Sequence, residues 1–293
     1  MLHQRTLGEK IFNIFNIILM FFIMVACIYP VYYVIMGSLS SSELLMAHRG
    51  LLLKPLGFSL NAYKEIFETN DIVTGFRNTF FILIVGVTLN ILLTVIGGYF
   101  LSRKRVMWRG TLMVMVVITM YFNGGMIPTY LVVSGIGLEN SLWALILPTA
   151  INTFNLIIMR TGFQAIPDEL DEAARIDGAG HLTILFKIYV PLVKATTAVL
   201  ILYYAVAHWN AWFNAAIYLK NRNLYPIQLI LREILIQSST ENFTSGADSG
   251  DVVAIAETIK YALIVVTTLP ILCLYPFLQK FFEKGVMIGS VKG

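Results

Sequence analysis

Six long runs of apolar residues constrain this 293-residue chain more than any other feature of its sequence. An α-helix rises 1.5 Å per residue, so about 20 apolar residues cross the hydrocarbon core of a bilayer. The composition agrees, because 57% of the residues are hydrophobic and 13% are charged. The sequence predicts an all-α, polytopic membrane protein, a single domain over residues 1–293. Its six transmembrane helices are expected near residues 13–37, 78–101, 111–134, 141–159, 195–219 and 261–279.

The short loops predict the orientation of these spans, because Lys and Arg stay on the cytoplasmic side. The loop "SRKRVMWRG" between spans two and three is basic and carries no acid, whereas "SGIGLENS" between spans three and four carries only Glu139. The first loop is therefore expected in the cytoplasm and the second outside. With six spans, the N and C termini are both expected to be cytoplasmic, and so is the segment 166–191 between spans four and five.

The sequence lacks residues and motifs that several classes of function require. The runs contain no Asp, Glu, Lys or Arg, and intramembrane carboxylates are the usual means of moving protons or ions. The chain also has no GxxxxGK[ST] phosphate loop, and its two cysteines lie far from any metal-binding spacing. We therefore expect no cofactor or metal bound by this chain. The formal net charge of +4 comes with Lys and Arg residues that lie next to the apolar runs, where they set membrane orientation. No nucleic-acid partner is therefore expected.

The stretch "IPDELDEAARIDGAG" at residues 166–180 predicts a short helix that begins at Pro167 and ends at Gly178. Acidic residues in its first turn complement the positive end of the helix dipole. Ala173 and Ala174 are expected on one smooth face with Leu170 and Asp177, next to the charged residues Glu169, Glu172 and Arg175. A small-residue face of this kind suits docking of a partner, and a solvated connector between two spans is the alternative.

The spacing in "EAARIDGAGHLTILFKIYVPL" resembles the EAA signature of permease subunits of ABC importers, EAA-x3-G-x9-I-x-LP. Val190 stands where leucine is usual, which is a conservative apolar change. The stretches "LKPLGFSLNAYKEIF", "GGMIPTYLVVSGIGLENSLWALILP", "WNAWFNAAIYL" and "FFEKGVMIGSVKG" look like the carbohydrate-uptake branch of these permeases. "NLYPIQLILREIL" looks like the subgroup that imports oligosaccharides released from polysaccharides, including those that contain uronic acids.

The resemblance implies a transport subunit that is not an enzyme and that lies in the bacterial cytoplasmic membrane. Its implied partners are a second related permease, two ATP-binding subunits and an extracytoplasmic sugar-binding protein. ATP and Mg²⁺ would then be bound by the ATPase subunits. The acidic helix would be the coupling helix between spans four and five, with an ATPase contact made by Glu172, Ala173, Ala174, Asp177 and Gly178.

Three alternatives remain open from the residues alone. The first is an ABC importer permease for another small polar solute instead of an oligosaccharide. A stand-alone facilitator would need no coupling helix and would transport without partners. A membrane enzyme is disfavoured, because the chain shows no paired carboxylates, metal ligands, or nucleophile and base at workable spacing.

Polar and aromatic side chains within the spans are the candidates for contact with sugar, which is bound by amides, hydroxyls and aromatic faces. Buried amides that bond between helices and tryptophans at the headgroup level are the structural alternatives. His208 is expected to be a neutral hydrogen-bonding group, because no intramembrane carboxylate is available to pair with it. The candidates are Asn123, Asn152, Asn155, His208, Trp209, Asn210, Trp212 and Asn214, with Asn152 and Asn155 expected on one helix face.

Two further segments of the sequence give predictions about the route that the sugar takes. Gly124, Gly125 and Pro128 predict a break in span three that lines a cavity, or else the packing of a kinked helix. Beyond span five, the amphipathic segment 225–237 precedes "SSTENFTSGADSG", whose Ser, Thr and Gly residues predict a loop. The family resemblance implies that this loop faces the binding protein, and a plain flexible loop is the alternative.

Overall fold

The structure is a computed structural model that describes residues 7–244 and 257–273, and within these ranges every regular element is a helix. The predicted all-α class is therefore confirmed for this part of the chain. The end of the predicted sixth span, the terminal stretch "FFEKGVMIGSVKG" and residues 245–250 of the predicted loop "SSTENFTSGADSG" lie outside the described residues. Residues 238–244 of that predicted loop are helical, so the loop prediction is wrong for them.

The first helices in chain order are α1 (Leu7–Ser38), α2 (Ser42–Ala47), α3 (Asn61–Glu68), α4 (Asn70–Ser102), α5 (Arg109–Tyr121), α6 (Met126–Gly135), α7 (Trp143–Ile146) and α8 (Thr153–Gln164). They are followed by α9 (Asp168–Ile176), α10 (His181–Ile184), α11 (Val190–Leu192), α12 (Lys194–Trp209), α13 (Phe213–Tyr218) and α14 (Ile227–Thr244). A 3-10 turn at Leu147–Thr149 extends α7, and a π-helical turn at Leu185–Tyr189 joins α10 to α11. Residues 257–273 are also helical.

Among the described residues, two unbroken helices are long and apolar enough to cross a membrane, namely α1 and α4. Three bent helix pairs also qualify if each pair is one span, which gives up to five. The six spans and the cytoplasmic position of both termini stay predictions. What the structure adds is that three of the predicted spans are interrupted.

Span three breaks where its glycines predicted a break. Helices α5 and α6 meet at 112°, and Gly125 has a φ of 86°, a value that favours glycine. A Cβ atom at Gly125 would meet no atom within 4 Å, so the glycine serves the turn and not a close approach. The break is solvent-exposed in the isolated chain and does not line the polar cavity described below.

Span four was predicted to be continuous over 141–159, and this is wrong. The helix is interrupted around Pro148, which has no N–H to donate, and its two parts meet at 51°. The carbonyls of Thr149 and Ala150 accept hydrogen bonds from the side-chain amide of Asn90, at 2.7 and 2.9 Å. The Asn152 backbone N–H donates to the Tyr204 hydroxyl at 3.1 Å, so the irregular backbone is satisfied by side chains of two neighbouring helices.

Span five was predicted to run unbroken over 195–219, and this is also wrong. Helix α12 ends at Trp209, and α13 begins at Phe213 after a tight turn. The carbonyl of Val206 accepts from both the backbone N–H and the side-chain amide of Asn210, at 3.1 and 3.0 Å. The amide of Asn210 thus bonds back to the last turn and helps end the helix there.

The described residues divide into two compact units, one drawn from Met1–Thr69 and Glu233–Thr268, the other from Asn70–Arg232 and Leu269–Gly293. In the first unit, the Tyr33 and Tyr261 rings pack edge to face at 5.8 Å, and the Ser42 and Thr258 hydroxyls hydrogen-bond at 2.8 Å. The apolar side chains of α1 are exposed along most of its length, as expected for a helix surrounded by lipid.

In the second unit, α4 is the central helix and packs against α8 and α12. Close approach of α4 and α8 depends on Gly98, because a Cβ atom there would lie 2.8 Å from Met159 Cγ and 3.2 Å from the Arg160 backbone nitrogen. Met159 is fully buried in a core cluster that also holds Tyr99, Phe163 and Tyr189. This cluster connects α4 and α8 to the segment after α9.

We expect Gly98→Val to lower the stability of the purified chain by about 1–3 kcal/mol, because the added atoms overpack the contact with α8. The matched control is Gly110→Val on α5, where a Cβ atom meets nothing within 4 Å. Thermal unfolding in detergent compares the two variants, and equal melting temperatures would contradict the close packing of α4 on α8.

Candidate functional site

Helix α9, which we call the acidic helix, has well-defined ends. Pro167 precedes the helix with a ψ of 138°, so the helix begins at Asp168 and not at Pro167 as predicted. Gly178 has a φ of 78°, and its N–H donates to Arg175 O at 3.0 Å while the Ala179 N–H donates to Ala174 O at 2.9 Å. These two bonds form the Schellman motif, which confirms the left-handed ending predicted at Gly178.

The acidic helix is held to the chain by a group of side chains that we call the Arg103 cluster: Arg103, Asp171, Arg175 and Tyr189. The guanidinium of Arg103 donates to Asp171 and to the Tyr189 hydroxyl. Arg175 Nε donates to the same carboxylate oxygen, Asp171 Oδ2, at 2.9 Å. The other oxygen, Oδ1, is buried and accepts no hydrogen bond from any described residue.

Aromatic rings surround the cation of this cluster. The Arg103 guanidinium carbon lies 5.0 Å from the centroid of the Tyr99 ring and 5.2 Å from that of Tyr189, within cation–π range. Burial lowers the pKa of Arg103, but the hydrogen bond to Asp171 outweighs it, and the pKa of Arg103 lies above its usual value. The guanidinium therefore stays charged over the physiological range.

Two further ion pairs join the basic loop after α4 to the acidic helix at its exposed edge. Lys104 Nζ lies 2.5 Å from Asp168 Oδ2, and Arg105 lies 3.9 Å from Glu172. The hydrogen bond between Lys104 and Asp168 lowers the pKa of Asp168 and raises the pKa of Lys104. Solvent-exposed pairs contribute little to stability, so these two orient the helix more than they stabilise it. The sequence analysis assigned the basic loop to membrane orientation alone and missed all three ion pairs.

The two faces of the acidic helix differ from the predicted arrangement. Ala174 is only 8% exposed, because it packs into the core cluster with Ile184, so it is not on the exposed face with Ala173 as predicted. The outward face contains Ala173, Glu172 and Ile176. Ile176 is 86% exposed, which is unusual for a large apolar side chain on a charged helix.

Ile176 was missed by the sequence analysis. Its signal was its spacing, because residues 169, 172, 173 and 176 lie at the i, i+3, i+4 and i+7 positions of one helix face. Asp177 and Gly178, which were also predicted as contact residues, are exposed at the end of the helix. The outward face therefore combines a small residue, a carboxylate and one large apolar side chain.

A cavity of about 500 Å³ lies among α8, α12 and α13, and we call it the polar cavity after the amide side chains in its otherwise mostly apolar lining. Six of the eight residues predicted for the pathway line it, together with the aromatic side chains of Phe154, Tyr203, Tyr204 and Phe213. These six are Asn152, Asn155, His208, Asn210, Trp212 and Asn214. Amides and aromatic rings in one cavity provide both the hydrogen bonds and the apolar faces that bind polyhydroxylated ligands.

Asn155 is a cavity residue with unused hydrogen-bonding capacity. It is 5% exposed, yet no described residue hydrogen-bonds to its side-chain amide. Asn155 lines the cavity, so both its amide oxygen and its amide nitrogen remain available to a ligand there. The side-chain amide of Asn214 also bonds to no described residue, and it is half-buried.

Asn152 has a local structural role. It was predicted to share a helix face with Asn155, but it lies before α8, where its Oδ1 accepts from the Asn155 backbone N–H at 3.1 Å. Asn152 is therefore the N-cap of α8, and the prediction of a shared face is wrong. The interruption around Pro148 is the physical reason, because α8 starts only after it.

His208 is bound to α4. Its Nε2 lies 2.6 Å from Asn90 Oδ1, and Asn90 is fully buried. Because the amide nitrogen of Asn90 donates to two carbonyls, its oxygen is the acceptor and His208 Nε2 is the donor. Gly86 makes this contact possible, since a Cβ atom there would lie 2.7 Å from His208 Nε2. Asn90 was missed by the sequence analysis, although it is a polar residue in the middle of span two.

Two of the predicted pathway residues do not line the cavity. Trp209 is buried and packs edge to face on Phe80, with ring centroids 5.9 Å apart. Asn123 lies in the exposed break of span three, where its Oδ1 accepts from the Gly125 N–H at 2.9 Å. Neither residue lines this cavity, because one side chain packs in the interior and the other stabilises a turn, and their part in the sugar pathway stays a prediction.

Comparison with protein families matches residues 79–288 to the family described as "binding-protein-dependent transport system inner membrane component". The polygalacturonan/rhamnogalacturonan transport system permease protein YtcP of Bacillus subtilis (strain 168) is 44% identical over 281 residues, which cover 96% of this chain and 97% of that protein. Protein LplC of the same organism is 41% identical, with coverage of 99% and 98%.

Among solved structures, a chain of a bacterial ABC transporter involved in the import of the acidic polysaccharide alginate superposes with a TM-score of 0.87. It is 30% identical in sequence, and the alignment covers 95% of this chain and 99% of that chain. The similarity therefore extends over the cavity and over the acidic helix.

We expect Asp171→Ala to destabilise the protein by about 3 kcal/mol, because it leaves the half-buried charges of Arg103 and Arg175 without their shared carboxylate. The control is Lys104→Ala, which removes an ion pair whose side chains are 76% and 59% exposed, and we expect a change within about 1 kcal/mol. Thermal unfolding of the purified protein measures both. Equal effects of the two variants would contradict the structural role of the Arg103 cluster.

Proposed function

Because this chain belongs to the family of binding-protein-dependent transport system inner membrane components and is a sugar permease of the ABC importer class, we propose that it is one half of an ATP-driven oligosaccharide translocation unit. A second, related permease completes the membrane part. Two ATP-binding subunits lie on the cytoplasmic side, and an extracytoplasmic binding protein delivers the sugar. This chain binds no nucleotide itself, and ATP and Mg²⁺ are bound by the ATPase subunits.

The observation that carries this proposal is the outward face of the acidic helix. Ile176 projects from it with 86% of its surface exposed, next to Glu172 and Ala173. An exposed isoleucine suits insertion into an apolar pocket of a partner, and the carboxylate beside it suits a basic residue at the edge of that pocket. We assign this face to the ATPase contact, with Asp177 and Gly178 at its end.

The Arg103 cluster supports the mechanism of coupling. It fixes the acidic helix to the end of α4 through Arg103 and, through Tyr189, to the π-helical turn that precedes span five. A displacement of the acidic helix by the ATPase is therefore passed to two membrane helices and is not absorbed by a flexible loop. The exposed pairs of Lys104 and Arg105 keep the helix aligned during that displacement.

The polar cavity supports a sugar as the cargo. Unbonded amides at Asn155 and Asn214 match the hydroxyl groups of a sugar, and the Trp212 ring matches its C–H face. The names of YtcP and of the alginate importer point to acidic, polysaccharide-derived substrates, and we propose an oligosaccharide of this class for this chain. The membrane is the bacterial cytoplasmic membrane, with six spans and both termini inside.

We expect Ile176→Asp to remove the ATPase subunits from the purified complex. Loss of one buried isoleucine side chain costs about 1.5–3 kcal/mol, which weakens association by roughly tenfold or more. The control is Ile176→Leu, which keeps an apolar side chain and should bind normally. Subunit stoichiometry and sugar-stimulated ATP hydrolysis are measured, and wild-type values for Ile176→Asp would show that the acidic helix is only a solvated connector.

We expect Asn155→Ala to weaken sugar uptake by the reconstituted complex, because hydrogen bonds worth about 0.5–1.5 kcal/mol each are lost, which corresponds to a factor of roughly 2–12 in KM. Assembly should be unchanged, since the amide bonds to no described residue. Asn61→Ala on α3, an exposed position remote from the cavity in sequence, is the control. Equal uptake by both variants would give Asn155 a structural role only.

A further inference from the structure

Arg232 on α14 lies against the ring of Trp212, a residue that lines the polar cavity. The guanidinium carbon is 3.5 Å from the ring centroid, which is van der Waals contact for a flat guanidinium lying on the ring. A guanidinium in this position uses its face for the ring and keeps its five N–H donors, which lie in its own plane, free to bind a further group.

Arg232 differs from other cations in the same part of the chain. Lys220 pairs with Glu139 at 2.9 Å, and Arg222 pairs with Asp71 at 2.6 Å. No described carboxylate lies within ion-pair distance of Arg232, whose side chain is exposed. The Trp212 ring thus fixes the position of the Arg232 guanidinium. No acid in the described chain neutralises the charge of that guanidinium.

We propose that Arg232 and Trp212 form a subsite for the carboxylate of an acidic sugar at the edge of the cavity. The inference rests on the proposed function and deepens it, because it names the residue that distinguishes an acidic from a neutral oligosaccharide. A guanidinium binds a carboxylate through two parallel N–H···O bonds, and this geometry is lost with a hydroxyl or an ester.

The neighbouring cavity residues suit the rest of such a sugar. The part of the Trp212 ring that lines the cavity suits the C–H surface of a pyranose, and the amide of Asn214, two residues further on, is available to ring hydroxyls. A single cation that is already desolvated on one side by an indole ring binds an anion more strongly than a fully hydrated lysine does. The proposed subsite therefore combines an oriented guanidinium, its positive charge and an aromatic ring that contacts the sugar.

The test uses the complete transporter in proteoliposomes, with trigalacturonate and its fully methyl-esterified, neutral form as probes. Variants are Arg232→Gln and Arg232→Lys, with Arg222→Gln as the matched control that removes a paired arginine. We expect Arg232→Gln to raise the KM for trigalacturonate at least tenfold with Vmax within twofold, and Arg232→Lys to give an intermediate KM. Arg222→Gln should match the wild type, and subunit stoichiometry should be normal throughout.

Several results would overturn the subsite. The first is an unchanged KM for trigalacturonate in Arg232→Gln. The second is an equal rise in KM for both probes in that variant. The third is a wild-type KM for the neutral ester that is as low as the wild-type KM for the acid. Each of these leaves the proposed importer function intact, because the wild type still transports. A wild-type complex that takes up no oligosaccharide at all would instead refute the proposed function, and the subsite with it.

Discussion

The side-chain amide of Asn90 supports the irregular backbone around the cavity. It donates to the carbonyls of Thr149 and Ala150 at the interruption of span four and accepts from His208 of α12. In an apolar interior, free carbonyls cost several kcal/mol each, so a broken helix persists only where side chains satisfy them. One fully buried asparagine thus fixes three helices in register, and Asn152, Asn155 and Tyr204 take their positions from that arrangement.

The Arg103 cluster has the corresponding role directly after the end of α4. A carboxylate of the acidic helix bonds to two guanidinium groups, and two tyrosine rings flank one of them. The helix is therefore anchored by its inner face, while the outer face with Ile176 stays exposed. One polar anchor, Asn90, lies within α4 and the other, Arg103, directly follows it, so the cavity and the acidic helix both belong to the second unit.

The sequence predicts local features of this protein well and long-range pairing poorly. Hydropathy identified α1 and α4, and the glycines at 124 and 125 identified the break in span three, because both signals are local. Pro148 and the sequence Asn152-Thr153 were usable signals for the interruption and the N-cap of span four. Arg103, the long-range partner of Asp171, lies in the loop after α4. The burial of Ala174 depends on a core whose members come from several helices, so no local pattern predicts it.

The ion pairs between the basic loop and the acidic helix also impose an order on biogenesis. Residues Arg103, Lys104 and Arg105 leave the ribosome before Asp168, Asp171 and Glu172 have been synthesised, because translation proceeds from the N terminus. On the predicted orientation, in which this loop is cytoplasmic, their positive charges are uncompensated when the loop is made and are available as the signal that retains it there. The acids of the acidic helix are synthesised later, so on this orientation the same three cations act first as a topological signal and then as ion-pair partners.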